Sequence, residues 1–452
     1  MDTVTLLALL LLLALLGVSL MSVVNYWRAD KTGREALRIM WRVRLTWHRT
    51  AIRCGLFQAE HGAKVGAEVP LVGELRQTRQ EKILVPKIRV TPVANGLRID
   101  VKTVGRVGLP AFEKAADDLA NAWRVRFVEA SAGKPGHLRL RVTLRDALRT
   151  KTTLVPSVND LVDLRLWNLG NGRDGDPVSV RTADVSGIAV GGLSGYGKTT
   201  LVYQYFARLA PSPLVQFALI DGKEYELSDL KERAYLHCGD DIAKGHAVVS
   251  EVYALYTERK TEIRSALHRR NFWDGQPTED WPLVAMIMDE AHTFLNETKF
   301  KDKANQDRDN LVRDIIWKVD ELVRKGRTVG IQTMLLTQKP TGEAIPTKIR
   351  DNCQIAMSFA QRSKEAAVAA LGDDIADYPH AHPRRLQDPA YIGVLSVVAE
   401  GRPGFTLVRI PRVLDRDAIA LAHDTAHLTR DPRESLRART RVLQLLEDAP
   451  AA

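Results

Sequence analysis

About 25 residues from Thr3 to Trp27, reading TVTLLALLLLLALLGVSLMSVVNYW, carry no charge. At 1.5 Å per residue that stretch exceeds the roughly 30 Å hydrocarbon core of a bilayer, so residues 1–27 are expected to form a transmembrane anchor. Tyr26 and Trp27 then fall where an interfacial aromatic belt sits. A cleaved signal peptide is the competing reading. Asp2, the length of the apolar run and the lack of a small-residue cleavage site count against it. Arg28, Lys31, Arg34, Arg38, Arg42, Arg44, Arg49 and Arg53 follow the span, which places the remainder on the cytoplasmic side by the positive-inside rule. Ile39, Met40, Val43, Trp47 and Ile52 are interleaved with these cations. The pattern suits an amphipathic helix lying on an anionic membrane surface, or else a solvated linker. Residues 28–74 are therefore read as a basic juxtamembrane segment and linker, polar and glycine-rich from Glu60 to Glu74.

The next periodicities are short. Ile83 to Val90 and Leu97 to Val104 alternate as strands do. Pro110 to Trp123 sets Phe112, Ala116, Leu119 and Trp123 on one helical face, with Pro110 in the first turn. Arg124 to Val128 and Leu138 to Leu144 alternate again. Residues 75–150 thus read as a small α+β domain of ββαββ pattern, without a catalytic constellation, and suit a packing or assembly module. Beyond Val178 wholly apolar runs (Gly187 to Val190, Leu214 to Ile220, Leu283 to Met288, Gln332 to Leu336) alternate with longer helical stretches. Continuous apolar strands between helices indicate an α/β domain, a parallel sheet covered on both faces, over residues 151–411. Residues 412–452 read as a charged helical tail.

Composition narrows the class. Hydrophobic residues make up 45% of 452, enough for a large core, which excludes wholesale disorder. Lys and Arg number 65 against 55 acidic residues, a net +10, and that sign favours anionic partners, nucleic acid or an inner leaflet. Cys54, Cys238 and Cys353 are too few and too scattered for a disulfide framework or a zinc site.

Chemistry concentrates in three places. GLSGYGKT, Gly192 to Thr199, fits G-x-x-x-x-G-K-S/T between a strand and a helix. In such a loop the backbone N–H groups of Gly192, Leu193, Ser194, Gly195, Tyr196 and Gly197 turn inward to phosphates at a helix N-terminus. Lys198 reaches the β- and γ-phosphates, Thr199 offers its hydroxyl to Mg²⁺, and Thr200 opens the helix. About 90 residues on, an apolar strand ends in Asp289 and Glu290. There Asp289 is expected to hold the magnesium and Glu290 to act as general base on water. Gln338 closes a third strand, where a neutral amide can sense the γ-phosphate.

These blocks (GGLSGYGKTT, LIDGKEYELSDL, VAMIMDEAH and LVRKGRTVGIQTMLLTQKPTGEAIPTKIRDNC) resemble the FtsK/SpoIIIE family of membrane-anchored, RecA-like DNA translocases. The likeness covers about Val178 to Pro411. The parts before it are similar, more loosely, to plasmid-transfer and secretion branches of that family. The resemblance implies ATP and Mg²⁺ as cofactors, a RecA-like motor, double-stranded DNA and the cytoplasmic membrane as partners, and a homo-hexameric ring. It also implies an arginine completing a neighbour's site, for which Arg327 is favoured over Arg324, with Arg350 and Arg362 as further candidates. Asp221 and Lys223 fall on the family's D-x-K element, and nothing in the sequence derives their role. Gln354 stands where many members carry an arginine, which weakens that position as a finger. The function implied is ATP-driven movement of duplex DNA in intercellular transfer of a mobile element. A ring ATPase energising protein secretion is the alternative.

Overall fold

The computed structural model describes residues 26–27, 31–61, 81–93, 95–298, 302–338, 344–434 and 436–437. The anticipated anchor lies outside the described residues apart from Tyr26 and Trp27. Among the described residues no helix is long and apolar enough to cross a membrane. The chain divides into two compact units, residues 1–147 and 148–452.

The first unit is built on an antiparallel sheet in the order β3-β4-β6-β5, with β3 Lys87–Val93, β4 Gly96–Lys102, β5 Phe127–Ala132 and β6 His137–Thr143. A short ladder, β1 Gln58–His61 against β2 Glu81–Leu84, stands apart from it. Alternation puts Leu97, Ile99 and Val101 of β4 and Leu138, Leu140 and Val142 of β6 on one buried face. Two short helices, Leu109–Lys114 and Ala116–Trp123, stand where the pattern reads one continuous helix. They bury Phe112, Leu119 and Trp123.

The basic segment after Trp27 is neither a linker nor a helix with its apolar face free for lipid. Residues Lys31–Arg53 form one helix, and Ala36, Ile39, Met40, Val43, Trp47 and Ala51 along it are buried in the core of the first unit. Trp47 stacks on Phe112 with centroids 6.4 Å apart and donates its indole N–H to the Pro86 carbonyl at 2.6 Å. Two of the arginines also cap backbone of this unit: Arg42 donates to the Trp123 carbonyl and Arg44 to that of Val90, both at 2.9 Å. A basic amphipathic helix carries the same pattern whether its apolar stripe faces lipid or protein, and here sheet and helices cover it.

The second unit holds a ten-stranded mixed sheet. Six strands are parallel, in the order β11 Ala234–Cys238, β10 Val215–Asp221, β12 Leu283–Asp289, β13 Ile331–Thr337, β9 Gly187–Gly191 and β14 Ile355–Ser358. Four antiparallel strands, β15 Val394–Val398, β16 Phe405–Arg409, β7 Leu166–Gly172 and β8 Pro177–Arg181, extend it beyond the parallel sheet expected. Every residue of β9, β10, β12 and β13 is buried, as strands covered on both faces must be. Helices Ile242–Leu267 and Lys303–Lys325 pack on each other, and Asp415–Asp424 packs on Lys198–Leu209. The start of the charged tail therefore belongs to the core: Ala418, Leu421, Ala422 and Leu436 are buried.

Candidate functional site

The parallel strands point their C-terminal ends at one crevice. β9 runs into the loop of residues 192–197 and then the helix Lys198–Leu209, while β12 and β13 lie between β9 and β10. Chain reversal between non-adjacent strands leaves a cleft at their carboxyl ends, where ligands of such sheets bind. Gly192 has φ +155°, and a Cβ there would stand 2.6 Å from Phe359 Cβ, so the loop closes on β14 only without a side chain.

Lys198 is 4% exposed. Its ammonium donates back to the loop carbonyls of Gly192 at 2.8 Å and Leu193 at 3.2 Å, which folds the side chain over the loop. Burial lowers its pKa, and the Glu290 carboxylate works against that shift. The Thr199 hydroxyl donates to Glu226, a residue the motifs did not single out although it lies within the DGKEYE block. Tyr196 has a structural part: its hydroxyl donates to the Gln387 carbonyl at 2.7 Å.

Asp289 and Glu290 are 2% and 3% exposed at the end of β12. Burial raises Asp289 to about 6, against the pull of Lys223. Burial acts on Glu290 in the same sense, but His292 and the Lys223 ammonium overcome it and hold the carboxyl at about 2. His292 Nδ1 lies 3.1 Å from Glu290 Oε2. Glu290 adopts φ +44°, in the left-handed region that a residue with a side chain rarely occupies. Gln338 meets this pair through its backbone, whose N–H donates to Glu290 Oε2 at 3.4 Å.

The sequence left Asp221 and Lys223 without roles, and the structure supplies them. Asp221, fully buried, accepts N–H bonds from Lys223 (3.1 Å), Glu226 (3.0 Å), Leu227 (2.8 Å) and Ser228 (3.2 Å), so one carboxylate shapes the whole turn after β10. Lys223 Nζ then stands 3.0 Å from Glu226, 3.6 Å from Asp289 and 3.2 Å from Glu290. A cavity of about 460 Å³ opens beside these groups, lined by the phosphate loop, Thr199, Thr200, Lys223 and Glu226. Ile392, Gly393, Arg409, Ile410, Arg412, Leu414 and the segment Lys151 to Thr153 complete its lining.

The donor set suits magnesium. Thr199, Asp289 and Glu226 offer only oxygen, and Asp289 Oδ2 is buried without a hydrogen-bond partner. Among the described residues no cluster of three or more His, Cys, Asp or Glu forms a metal cage.

The arginines favoured for completing a neighbour's site stand apart from this chain's own crevice, as a residue acting on another copy would. Arg324 is paired with Asp320 and Glu321, and Arg327 Nη1 lies 3.4 Å from the Asp184 carbonyl. Both precede β13, roughly 20 Å of strand away from Gln338 at its other end. Arg350 donates to the Ala369 carbonyl at 2.9 Å, and Arg362 is exposed. Gln354, at the family's arginine position, accepts the N–H groups of Ser186 and Gly187 at 2.9 Å each and so anchors the start of β9.

Comparison with known proteins follows this geometry. Residues 27–144 match the family model of the actinomycete conjugal transfer protein N-terminal domain. The DNA translocase FtsK 1 of Neisseria meningitidis serogroup B is 24% identical over 278 residues, covering 53% of this chain and 32% of that protein. The DNA translocase SpoIIIE of Bacillus subtilis is 23% identical over 281 residues, covering 57% and 34%. The likeness is to FtsK/SpoIIIE translocases. It agrees with the resemblance carried by the motifs, and the match spans about a third of those relatives' length. Among solved structures, the pCW3 conjugation coupling protein TcpA in monomer form with ATPγS aligns with a TM-score of 0.49 at 12% identity, over 79% of this chain and 94% of that one.

Proposed function

We propose that this chain is a membrane-anchored, ATP-driven motor that moves double-stranded DNA during intercellular transfer of a plasmid or integrative element, working as a ring of copies, six by family resemblance. The observation that carries the ATPase reading is the convergence of Lys198, Thr199, Asp289 and Glu290 on one crevice at the strand ends. Conjugal transfer as the setting is supported by the family of the first unit and by the translocase relatives.

Lys198 and the loop N–H groups would bind and orient the phosphates. Thr199 and Asp289 would hold Mg²⁺, which supplies charge neutralisation at the phosphates when bound. Glu290, kept ionised by its neighbours, would orient the attacking water and accept its proton. Gln338 would sense the γ-phosphate.

The deciding experiment measures ATP turnover with and without duplex DNA, at two salt concentrations and over a range of protein concentration. A backbone-tracking ring gives DNA stimulation that falls steeply with salt, and turnover per chain that rises with concentration. Absence of stimulation by any duplex would point to a protein substrate instead.

The anchor has its own test. Removal of residues 1–27 is expected to shift the protein from the membrane to the soluble fraction while ATP turnover stays measurable. Salt-resistant membrane association of the truncated protein would refute an anchor in that segment.

A further inference from the structure

We propose that Lys223 is a resident cation that fills the divalent-ion position of the site until nucleotide arrives, and so positions the metal in time. The inference rests on the metal–nucleotide reading given above.

The Lys223 ammonium sits among three carboxylates contributed by two elements: Glu226 at 3.0 Å from its own turn, and Asp289 at 3.6 Å and Glu290 at 3.2 Å from the end of β12. Glu226 also receives the Thr199 hydroxyl, so the ammonium lies one carboxylate away from the residue that would ligate magnesium. Asp289 Oδ2 and Glu290 Oε1 are buried, and the ammonium stands against both, at 3.6 Å and 3.2 Å.

The cation is placed, not incidental. Asp221 fixes the turn through four backbone N–H bonds. Gly222 brings that turn against the acidic pair: a Cβ there would stand 2.7 Å from the Asp289 carbonyl oxygen. The backbone is held, yet Lys223 retains 26% side-chain exposure on a flexible four-carbon stem, so the ammonium has room to leave.

Two cations a few ångströms apart repel strongly in a buried site. With the ammonium in place, a free divalent ion meets a carboxylate cluster whose charge is already partly offset and whose centre is occupied. Bound phosphates add negative charge, draw the ammonium toward themselves and release Asp289 and Glu226 to the metal. Metal entry is thereby made conditional on nucleotide.

Electron paramagnetic resonance of Mn²⁺ titrated into the full-length protein tests this without reading turnover. Wild type should bind Mn²⁺ weakly alone and tightly with ATPγS. Lys223→Met should tighten nucleotide-free Mn²⁺ binding at least about tenfold, and adding Asp289→Asn should remove that gain. Lys223→Arg, which keeps the charge, should behave as wild type. Thermal melting establishes that each variant folds, and Lys223→Gln replaces the Met variant if that one does not. Unchanged nucleotide-free affinity in the neutral variants, or a gain that survives Asp289→Asn, overturns the assignment of Lys223 alone. Wild type that binds no Mn²⁺ even with ATPγS overturns the metal–nucleotide reading, and this inference with it.

Discussion

Lys198→Ala is expected to abolish ATP turnover and to weaken nucleotide binding by roughly a hundredfold or more, the scale on which a single buried donor to developing or fixed phosphate charge is felt. Lys198 is the mobile cation of the loop, buried to 4% exposure and curled onto the Gly192 and Leu193 carbonyls. Incoming phosphates replace those two carbonyls as its partners. Truncation removes that exchange and also leaves the two carbonyls without their donor. Titration with a fluorescent ATP analogue checks the result. Affinity within about threefold of wild type would show that the loop binds phosphate by its backbone alone.

Glu290→Gln should have the opposite signature: near-normal ATP affinity, with turnover slowed by about 10²- to 10⁴-fold, the usual worth of a positioned general base. Glutamine keeps the shape and can still accept a hydrogen bond, but it cannot take a proton. The Glu290 carboxyl is held at about 2, so it is ionised at neutral pH and able to accept a proton. Its low value comes from His292 and Lys223, and a γ-phosphate beside it acts in the reverse sense. Single-turnover measurement of ATP cleavage separates the two steps. Turnover within tenfold of wild type would remove Glu290 from the base role.

The nucleotide site was legible because its chemistry is local. A phosphate loop needs glycine, lysine and threonine at fixed spacing, and an apolar strand ending in Asp289 and Glu290 announces both burial and charge. Glu226 was not legible as a partner of Thr199, since a turn glutamate has no spacing signature; only Asp221, by shaping the turn, brings it there. The antiparallel edge formed by β15, β16, β7 and β8 was missed for a different reason. Its strands come from both ends of the second unit, and pairing of that kind leaves no mark in local periodicity. The helix Lys31–Arg53 shows the limit of periodicity most clearly. Its apolar stripe is plain in the sequence, but a stripe states only that something covers it, and Trp47 against Phe112 shows what does.

One contact has a mechanical side. The segment that leads from the first unit into the second pairs with the segment that leaves β16: Arg412 N–H donates to the Thr152 carbonyl at 2.8 Å, and Leu154 N–H to the Arg412 carbonyl at 2.8 Å. Lys151, Thr152 and Thr153 of that segment also line the nucleotide cavity. Upstream of these two bonds the same segment is already tied to β16, since the Leu148 carbonyl accepts from the Arg409 guanidinium. These two bonds stand in the wall of the cavity, so a pull on this segment and the filling of the cavity would act on the same few atoms.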